Sequence, residues 1–325
     1  MRAVIWLTAA FAIFYGGYWA VGSRAVLEGT ETALADLRAA GSVEYGEVTL
    51  DGFPSRFDLT IGNPQLTGAD GAVEWSAPEL QVYALSYKPH HIIAVLPSDQ
   101  TLRIGNETIT IHADDLRASA VFGIDPDLPL NRAQSVGKAI ALASDHGWGS
   151  TLNEIRLALR EGESAREFEL GAEVFNVGFS GQPASTLSLS GLPVDGGHLR
   201  LDATLRLVRP IDRNLVSETL RLENLTIKSI VADWGSIQVS GAGQVEITPA
   251  GQPEGRITLT ISDWRRGLRL AAELGLIRPQ LAPTVENALT QIADAGGGES
   301  LELPVTFANG WMSLGPMPLG PAPRF

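Results

Sequence analysis

The sequence predicts a mainly β protein: a large curved antiparallel sheet, groove-like or sandwich-like, with an N-terminal transmembrane and stalk helix and a C-terminal helical hairpin. Three observations lead to this fold class. An uncharged apolar run lies near the N-terminus, most of the remaining chain alternates apolar and polar residues with a period of two, and helical periodicity is confined to a few short segments. Buried parallel strands would instead form continuous apolar runs separated by helices, so a parallel α/β fold is disfavoured.

The N-terminal run Ala3 to Gly22 has the length and composition of a membrane crossing. It contains no charged residue, and its 20 residues in a helix, at about 1.5 Å each, match the roughly 30 Å hydrocarbon core of a bilayer. Tyr15, Tyr18 and Trp19 resemble an aromatic belt at the membrane interface. We predict that residues 1–22 are an uncleaved transmembrane anchor that contacts the bilayer through residues 3–22, and a cleaved signal peptide is the alternative.

The charges around this run indicate its orientation. Only Arg2 and the α-amino group precede it, and short positively charged tails tend to remain cytoplasmic. We therefore predict a single-pass inner-membrane protein with its body in the periplasm. Residues 23–41 are predicted to continue as a stalk helix capped by Gly41. Its apolar stripe either packs on the domain that follows, which we prefer, or serves as a spacer or dimerisation seam.

Residues 42–325 are predicted to form one β-rich periplasmic body. Alternation of apolar and polar residues is clearest in Phe57 to Ile61, Leu199 to Leu207 and Ile257 to Ile261. Turn signals separate such segments, and Asn309-Gly310 is a strong cue for a two-residue hairpin turn. The pattern is typical of meandering antiparallel strands with one apolar and one polar face.

Helical patterns in the body are few. Asn131 to Ser144 is one candidate helix, and Trp264 to Leu276 and Pro283 to Ala293 are two more. The last two adjoin, and we expect them to form a helical hairpin around Arg278-Pro279. Leu187 and Leu189 are instead interpreted as part of another alternating strand, and the chain is expected to end in a Pro/Gly-rich tail.

Charge and cysteine content exclude several classes of function. The chain has 37 acidic and 24 basic residues and a formal net charge of −13. The electrostatic field of such a negatively charged protein repels phosphate backbones, so nucleic acid is excluded as a main partner. With 0 Cys, the chain has no disulfide, thiol nucleophile or thiolate metal site.

Motifs for catalysis or nucleotide binding are incomplete. Ser164 and Ser300 each follow a Gly-Glu pair, but both lack the second glycine of a nucleophile elbow. Gly137-Lys138 lacks the other residues of a phosphate-binding loop. We predict no catalytic, cofactor-binding or metal-binding residue and expect no enzymatic activity. A hydrolase assembled from distant segments is the least favoured alternative.

The five histidines do not form a metal-binding pattern. His90 and His91 would point to opposite faces of a strand, and His112, His146 and His198 have no neighbouring histidine at metal-ligand spacing. We predict that all five are solvated or hydrogen-bonded single residues.

Two charged clusters have structural explanations. Asp114-Asp115 is assigned to a polar turn. Arg265, Arg266 and Arg269 could contact lipid phosphate or an acidic partner, but a solvated helix face is the preferred interpretation. The scattered tryptophans are predicted to lie in the core. They are Trp75, Trp148, Trp234, Trp264 and Trp311.

Several segments together resemble one family. They are the G-F-P-x-R-F turn at Gly52 to Phe57, W-x-A-P-x-L at Trp75 to Leu80, Tyr87-Lys88-Pro89-His90, the run 232–261 and the ending Leu303 to Pro323. This set resembles the bacterial domain of unknown function family 2125. The resemblance implies a membrane-anchored envelope protein of Alphaproteobacteria, without an assigned reaction or catalytic residues. A fainter similarity, at the level of fold alone, is to AsmA-like envelope proteins, whose long curved sheets are thought to carry lipid.

These predictions lead to a function for the sheet. A sheet with one apolar face must bury that face, and the candidate helices are too few to cover it. The sheet either closes as a dry sandwich about 10 Å thick or curls into a trough that an apolar ligand fills. Acyl chains are the abundant apolar ligands of the envelope. We predict a membrane-anchored periplasmic β-groove protein that binds or transfers lipid. A structural or scaffolding envelope protein with a closed β core and no ligand is the alternative.

Overall fold

The chain folds mainly into antiparallel strands. The computed structural model describes residues 1–68, 71–213, 220–273, 282–295, 300–315 and 317–324. Strands make up 54% of the structure and belong to one large antiparallel sheet, with a long apolar N-terminal helix and helices near the C-terminus. The predicted mainly β fold class is confirmed.

The described residues form four helices and nineteen strands. The helices are α1 (Arg2–Ala39), α2 (Gln182–Leu189), α3 (Trp264–Glu273) and α4 (Ala282–Ala295). The strands are β1 (Val43–Glu44), β2 (Val48–Asp51), β3 (Arg56–Gly62), β4 (Gln65–Thr67), β5 (Val73–Ser76), β6 (Glu79–Leu85), β7 (Lys88–Val95), β8 (Asp99–Ile104), β9 (Glu107–Phe122), β10 (Leu130–Ser144), β11 (Gly149–Glu161), β12 (Glu167–Ser180), β13 (Gly197–Leu207), β14 (Leu222–Trp234), β15 (Ile237–Ile247), β16 (Pro253–Ser262), β17 (Ser300–Ala308), β18 (Trp311–Leu314) and β19 (Met317–Pro321).

The chain divides into two compact units. The first unit contains residues 1–124 and 135–146, and the second contains residues 125–134 and 147–325. The boundary between them crosses β10. The division predicted above, into an anchor, a stalk and a single body, stays a prediction.

The N-terminal helix is continuous from the apolar run through the predicted stalk. Gly41 follows it in the left-handed region, with φ of 74°, and its N–H donates to the Arg38 carbonyl at 2.9 Å. The N–H of Ser42 donates to the Leu37 carbonyl at 3.0 Å. This is the glycine cap that the sequence predicts. Helix α1 contacts β1 and β2, and Arg38 in the stalk pairs with Glu44 on β1 at 3.1 Å.

The first unit is built around the long strand β9. The start of β9 pairs with β8, and its end pairs with β7. From there the sheet continues through β6 and β3 to β2. The side chains of Phe57, Leu59 and Ile61 on β3 are buried, as their alternation predicts.

The second unit is a meander. Each strand from β11 to β19 pairs antiparallel with the next one along the chain. The turn between β17 and β18 has Asn309 and Gly310 at φ of 53° and 76°. Two successive positive φ values define the type I′ hairpin turn that Asn-Gly favours.

The predicted C-terminal helices are confirmed as α3 and α4, which contact each other. They and β17 form a hydrophobic core cluster, and the loop at Arg278-Pro279 lies outside the described residues. The cluster consists of Trp264, Leu268, Leu289, Ala293, Leu301 and Leu303.

At two places the structure has the opposite type of element from the one predicted. Asn131 to Ser144 is not a helix but strand β10, which pairs with β9. An alanine-rich segment has helix propensity, but pairing with a long neighbouring strand outweighs that weak preference. Leu187 and Leu189 lie on helix α2, where Leu187 is buried and Leu189 is 83% exposed. The Pro/Gly-rich tail contains strand β19, which pairs with β18.

Candidate functional site

One face of the sheet in the second unit is apolar over many strands. Antiparallel pairing places directly opposed residues on the same face, and side chains alternate between faces along each strand. Between β12 and β13 the opposed pairs include Ala172 with Leu201 and Val174 with Leu199. The next pairing opposes Leu201 to Ile230, so the same face continues across β14.

We call this surface the apolar face. At its centre Ala203 on β13 is fully buried, and the other central members are partly buried. They are Leu170, Ala172, Val174, Leu199, Leu201, Leu205, Leu225, Ile227, Ile230, Val239, Ile257 and Leu259.

Both ends of the apolar face are covered more completely than its centre. At one end, the α3–α4 cluster packs on Ile261, Leu301 and Leu303, of which the last two are 1% and 2% exposed. At the other end, Phe168 and Val245 are 1% and 4% exposed. Between these two ends most side chains of the face are only partly buried.

Two glycines make the sheet bend at its apolar face. A Cβ atom on Gly243 would lie 2.3 Å from the Arg256 carbonyl oxygen and 2.5 Å from the Ile257 Cα. A Cβ atom on Gly241 would lie 2.6 Å from the Thr258 carbonyl oxygen. Both would project from the apolar face, so the β16 backbone leans over that face. Glycines in such positions allow a sheet to curve, and the apolar face is on the inner side of this bend.

The extent of the apolar face across its strands is comparable to the thickness of one bilayer leaflet. Adjacent strands lie about 4.8 Å apart, so the four intervals from β12 to β16 cover about 19 Å. One leaflet of a bilayer has a hydrocarbon layer of about 15 Å, half of the roughly 30 Å core.

The opposite face of the same strands is charged. Arg160 and Lys228 both contact Glu169, and their hydrogen bonds lower the pKa of that carboxyl group below its usual value. Arg200 and Arg156 both approach Glu173, at 3.7 Å and 3.9 Å. The two faces therefore differ sharply in polarity.

Two open cavities lie on this charged face. Their volumes are about 750 Å³ and 580 Å³, and Arg206 lines the first while Arg156, Arg160 and Arg200 line the second. All four guanidinium groups pair with glutamates. These four charges are compensated on an exposed surface, and Arg166 and Arg221 also line the first cavity and Arg132 the second.

The first unit has a smaller cavity of its own. Its volume is about 400 Å³, and Arg56, Leu85, His91 and Ile93 are among the residues that line it. Arg56 is paired with Asp58 at 2.8 Å.

The histidines occupy separate places. His112 Nδ1 lies 2.8 Å from an Asp99 oxygen, and this hydrogen bond raises the pKa of His112 and lowers that of Asp99. His91 bonds the Ser119 hydroxyl at 3.0 Å, and His198 stacks on Phe175. In the described ranges, no group of three or more His, Asp or Glu side chains is placed to hold a metal ion.

The two remaining histidines, His90 and His146, also lie apart from each other. His90 is partly buried on β7. His146 follows β10, with ring nitrogens 3.9 Å from Glu107 and from Asp145.

The incomplete motifs lie in ordinary structural positions. Ser164 is in the turn between β11 and β12, and Ser300 begins β17, so neither is at a strand-to-helix elbow. Gly137 and Lys138 are inside β10. The chemistry that these short patterns could suggest has no matching local fold.

The prediction of a polar turn at Asp114-Asp115 is wrong, because both residues lie inside β9. Asp115 instead pairs with Arg117 at 2.6 Å. Polar residues in a strand are tolerated where their face meets solvent, which the alternation in β9 permits.

The arginine cluster lies on α3 as predicted. Arg265 and Arg269 are exposed, and Arg266 pairs with Asp263 at 3.3 Å. Among the tryptophans, Trp264 is 3% exposed, but Trp311 is 60% exposed and does not belong to the core.

Sequence reasoning missed the role of Gly241 and Gly243. A signal was nevertheless present, because both glycines occupy apolar positions of a period-two strand, where a small residue indicates close approach of another backbone.

The fold and the apolar face define a class of protein. Within α1, an 18-residue window has a mean hydropathy of 1.6 and none of it is buried, so the helix is apolar and long enough to cross a membrane. The class is a β-sheet protein with a candidate N-terminal membrane anchor and a bent apolar face.

Comparison with known proteins identifies the family. The model of an uncharacterized protein family conserved in bacteria (DUF2125) matches residues 19–323, so the chain belongs to this family. No curated protein and no solved structure matches the chain.

Proposed function

We propose that this protein binds or transfers lipid in the bacterial cell envelope. In this proposal α1 anchors it in the inner membrane, the body lies in the periplasm, and the apolar face holds an acyl chain. The observation that carries the proposal is the partial burial of a continuous aliphatic surface on the inner side of a bend. Burying such a surface against an acyl chain is favourable by about 25 cal/mol per Å² of apolar area.

A structural role is the second candidate. No central residue of the apolar face is fully exposed, which also suits a closed core that binds no ligand. A scaffold of this kind would contact partners through the charged face.

Photocrosslinking separates the two candidates. The full chain is reconstituted into vesicles that contain a phospholipid with a photoactivatable group at the end of one acyl chain. After illumination, adducts are mapped by peptide mass spectrometry. We expect adducts on the apolar face, in residues 170–174, 199–205 and 225–230, in addition to those on α1. Adducts confined to α1 would contradict lipid binding by the sheet and favour the scaffold.

A matched pair of variants tests the location. Ala172 lies on the apolar face, and Ala158 lies on the charged face of the neighbouring strand β11. Ala172→Trp should fill the space for the acyl chain and reduce the adducts on the sheet at least several-fold. Ala158→Trp should leave them unchanged, because its indole would project from the opposite face. Equal effects of the two substitutions would place the lipid elsewhere.

A further inference from the structure

Three turns project from one edge of the sheet in the first unit. They are the β2–β3 turn, the β6–β7 turn and the residues that follow β9. The pairs Asp51 with Asp58, Leu85 with Lys88 and His91 with Val121 place them side by side at the same edge. We call this edge the turn edge.

Each of these turns exposes a large apolar or aromatic side chain. Phe53 is 64% exposed, Tyr87 is 62% exposed and Ile124 is 85% exposed. Single exposed apolar residues are common on protein surfaces, but three at the tips of adjacent turns indicate an interaction surface.

The N-terminal helix passes this edge. The hydroxyls of Tyr15 and Tyr18 bond Ser86, at 3.0 Å to its Oγ and 2.6 Å to its carbonyl oxygen. The Trp19 indole donates to the Arg56 carbonyl at 2.7 Å and contacts the ring of Phe53 edge-on, with centroids 5.2 Å apart. These contacts fix the level of the turn edge along α1 at residues 15–19.

The position of the turn edge beside residues 15–19 of α1 is incompatible with a body that lies entirely outside the membrane. Within the uncharged run, Ala3 to Phe14 precedes the first contact with the turn edge and spans only about 18 Å as a helix. The hydrocarbon core is roughly 30 Å thick. The remaining 12 Å or so of the hydrocarbon core must be crossed by Tyr15 to Gly22, the part of the helix that lies beside the turns. A tilted helix spans less of the membrane thickness per residue, so tilting would require even more of this part of the helix.

We propose that the turn edge inserts into the outer part of the phospholipid bilayer, with Phe53, Tyr87 and Ile124 as its contacts to acyl chains. This inference rests on the proposed membrane crossing of α1, but not on lipid binding by the apolar face. Amphipathic surfaces commonly sit about 5–10 Å deep at this boundary, and aromatic residues favour it.

The charges at the turn edge agree with shallow insertion. Lys88 is exposed next to Tyr87, at a position where it can meet lipid phosphates, and Arg56 is exposed near Phe53 but paired with Asp58. Asp51 is also exposed, as is Asp125, which directly follows Ile124, and these carboxylates remain at the headgroup level because burial in hydrocarbon is costly. The tips therefore enter the bilayer while the strands do not.

Single-cysteine labelling tests this arrangement, since the chain has 0 Cys. Phe53→Cys, Tyr87→Cys and Ile124→Cys are each labelled with a polarity-sensitive fluorophore. The full chain is reconstituted into phosphatidylethanolamine–phosphatidylglycerol vesicles that contain phospholipid nitroxide-labelled on the acyl chain. We expect a blue-shifted emission and at least twofold quenching at all three positions.

Two controls interpret the result. Ile104→Cys is the matched negative control, because Ile104 is 45% exposed and pairs with Glu107 at the opposite end of β9, about 50 Å from the turn edge. Phe11→Cys, on the exposed part of α1, is the positive control. Quenching at Phe11 without quenching at Phe53 and Tyr87 would overturn the inserted edge and leave the anchor intact. Equal quenching at Ile104 and Ile124 would also contradict it, and no quenching at Phe11 would overturn both the crossing and the inference.

Hydrogen exchange provides a second test that needs no label. Hydrogen exchange of the unlabelled chain should be slower at residues 52–55 and 86–87 in vesicles than in detergent, with no difference at residues 104–106. Equal exchange in the two environments at all of these residues would contradict insertion. Neither measurement depends on the apolar face, so this inference and the proposed lipid binding can fail separately.

Discussion

The pair formed by His112 and Asp99 is the residue-scale feature with the clearest electrostatic signature. Their hydrogen bond at 2.8 Å raises the pKa of His112 and lowers that of Asp99. The contribution of His112 to folding is present below its usual pKa of about 6.5 and is lost as pH rises through its folded value. The contribution of Asp99 is present above its usual pKa and is lost as pH falls through its folded value. The pair therefore contributes most in mildly acidic solution.

Removing the Asp99 charge should return the histidine to its ordinary behaviour. In Asp99→Asn, we expect the pKa of His112, measured by NMR titration of the imidazole protons, to fall toward about 6.5. Asp114→Asn is the control, because Asp114 acts on His112 only through a weaker Coulombic effect. An equal fall in both variants would contradict a direct hydrogen bond as the main cause.

Residue-scale features differ in how far the sequence reveals them. The cap at Gly41 and the turn at Asn309-Gly310 were predictable, because local backbone conformation selects those residues. Phe53 was recognised only as part of a turn motif. Its exposure beside Trp19 depends on packing between segments that are distant in the chain.

At the scale of elements, β15 and β16 carry the bend of the second unit. The close approach of the β16 backbone to Gly243 leaves no space for a side chain. Backbone atoms cannot rotate away as a side chain can, so an added methyl group must force the two strands apart.

Gly243→Ala should destabilise the second unit by about 1–3 kcal/mol, a typical cost of overpacking. Gly171→Ala in β12 is the matched control, because a Cβ atom there would meet nothing within 4 Å in the described chain. That substitution should be neutral or stabilising by up to about 1 kcal/mol through the unfolded chain. Thermal unfolding followed by circular dichroism measures both, and an unchanged midpoint for Gly243→Ala would argue against a tight bend.

Among the elements, periodicity predicted the strands better than the short helices. The strand β13 keeps strict alternation, and its apolar positions share one face. In contrast, Asn131 to Ser144 forms strand β10 because β9 offers a partner strand. Helix α2 lies in a serine-rich segment whose pattern resembles a strand. Its hydroxyls bond carbonyls four residues earlier, as Ser188 does with Ala184 at 2.9 Å.

At the scale of the whole molecule, retention of the N-terminal segment is required by both proposals. The contacts of Tyr15, Tyr18 and Trp19 with the first unit are part of the fold, and cleavage near Gly22 would remove them. N-terminal sequencing of the protein isolated from its native membrane should recover the segment before residue 15. Recovery starting at Ser23 would refute the anchor and favour a signal peptide.

By itself, the sequence determined the mainly β class, the apolar N-terminal helix, the two C-terminal helices and the membership of a bacterial family. These features depend on local periodicity, length and composition, which a single sequence carries. Only the tertiary structure decided which apolar residues share a face, where β16 leans over Gly243, and which turns lie beside the helix at Tyr15. The physical reason is that strand register and helix docking join residues far apart in the chain, and no local pattern encodes those distances.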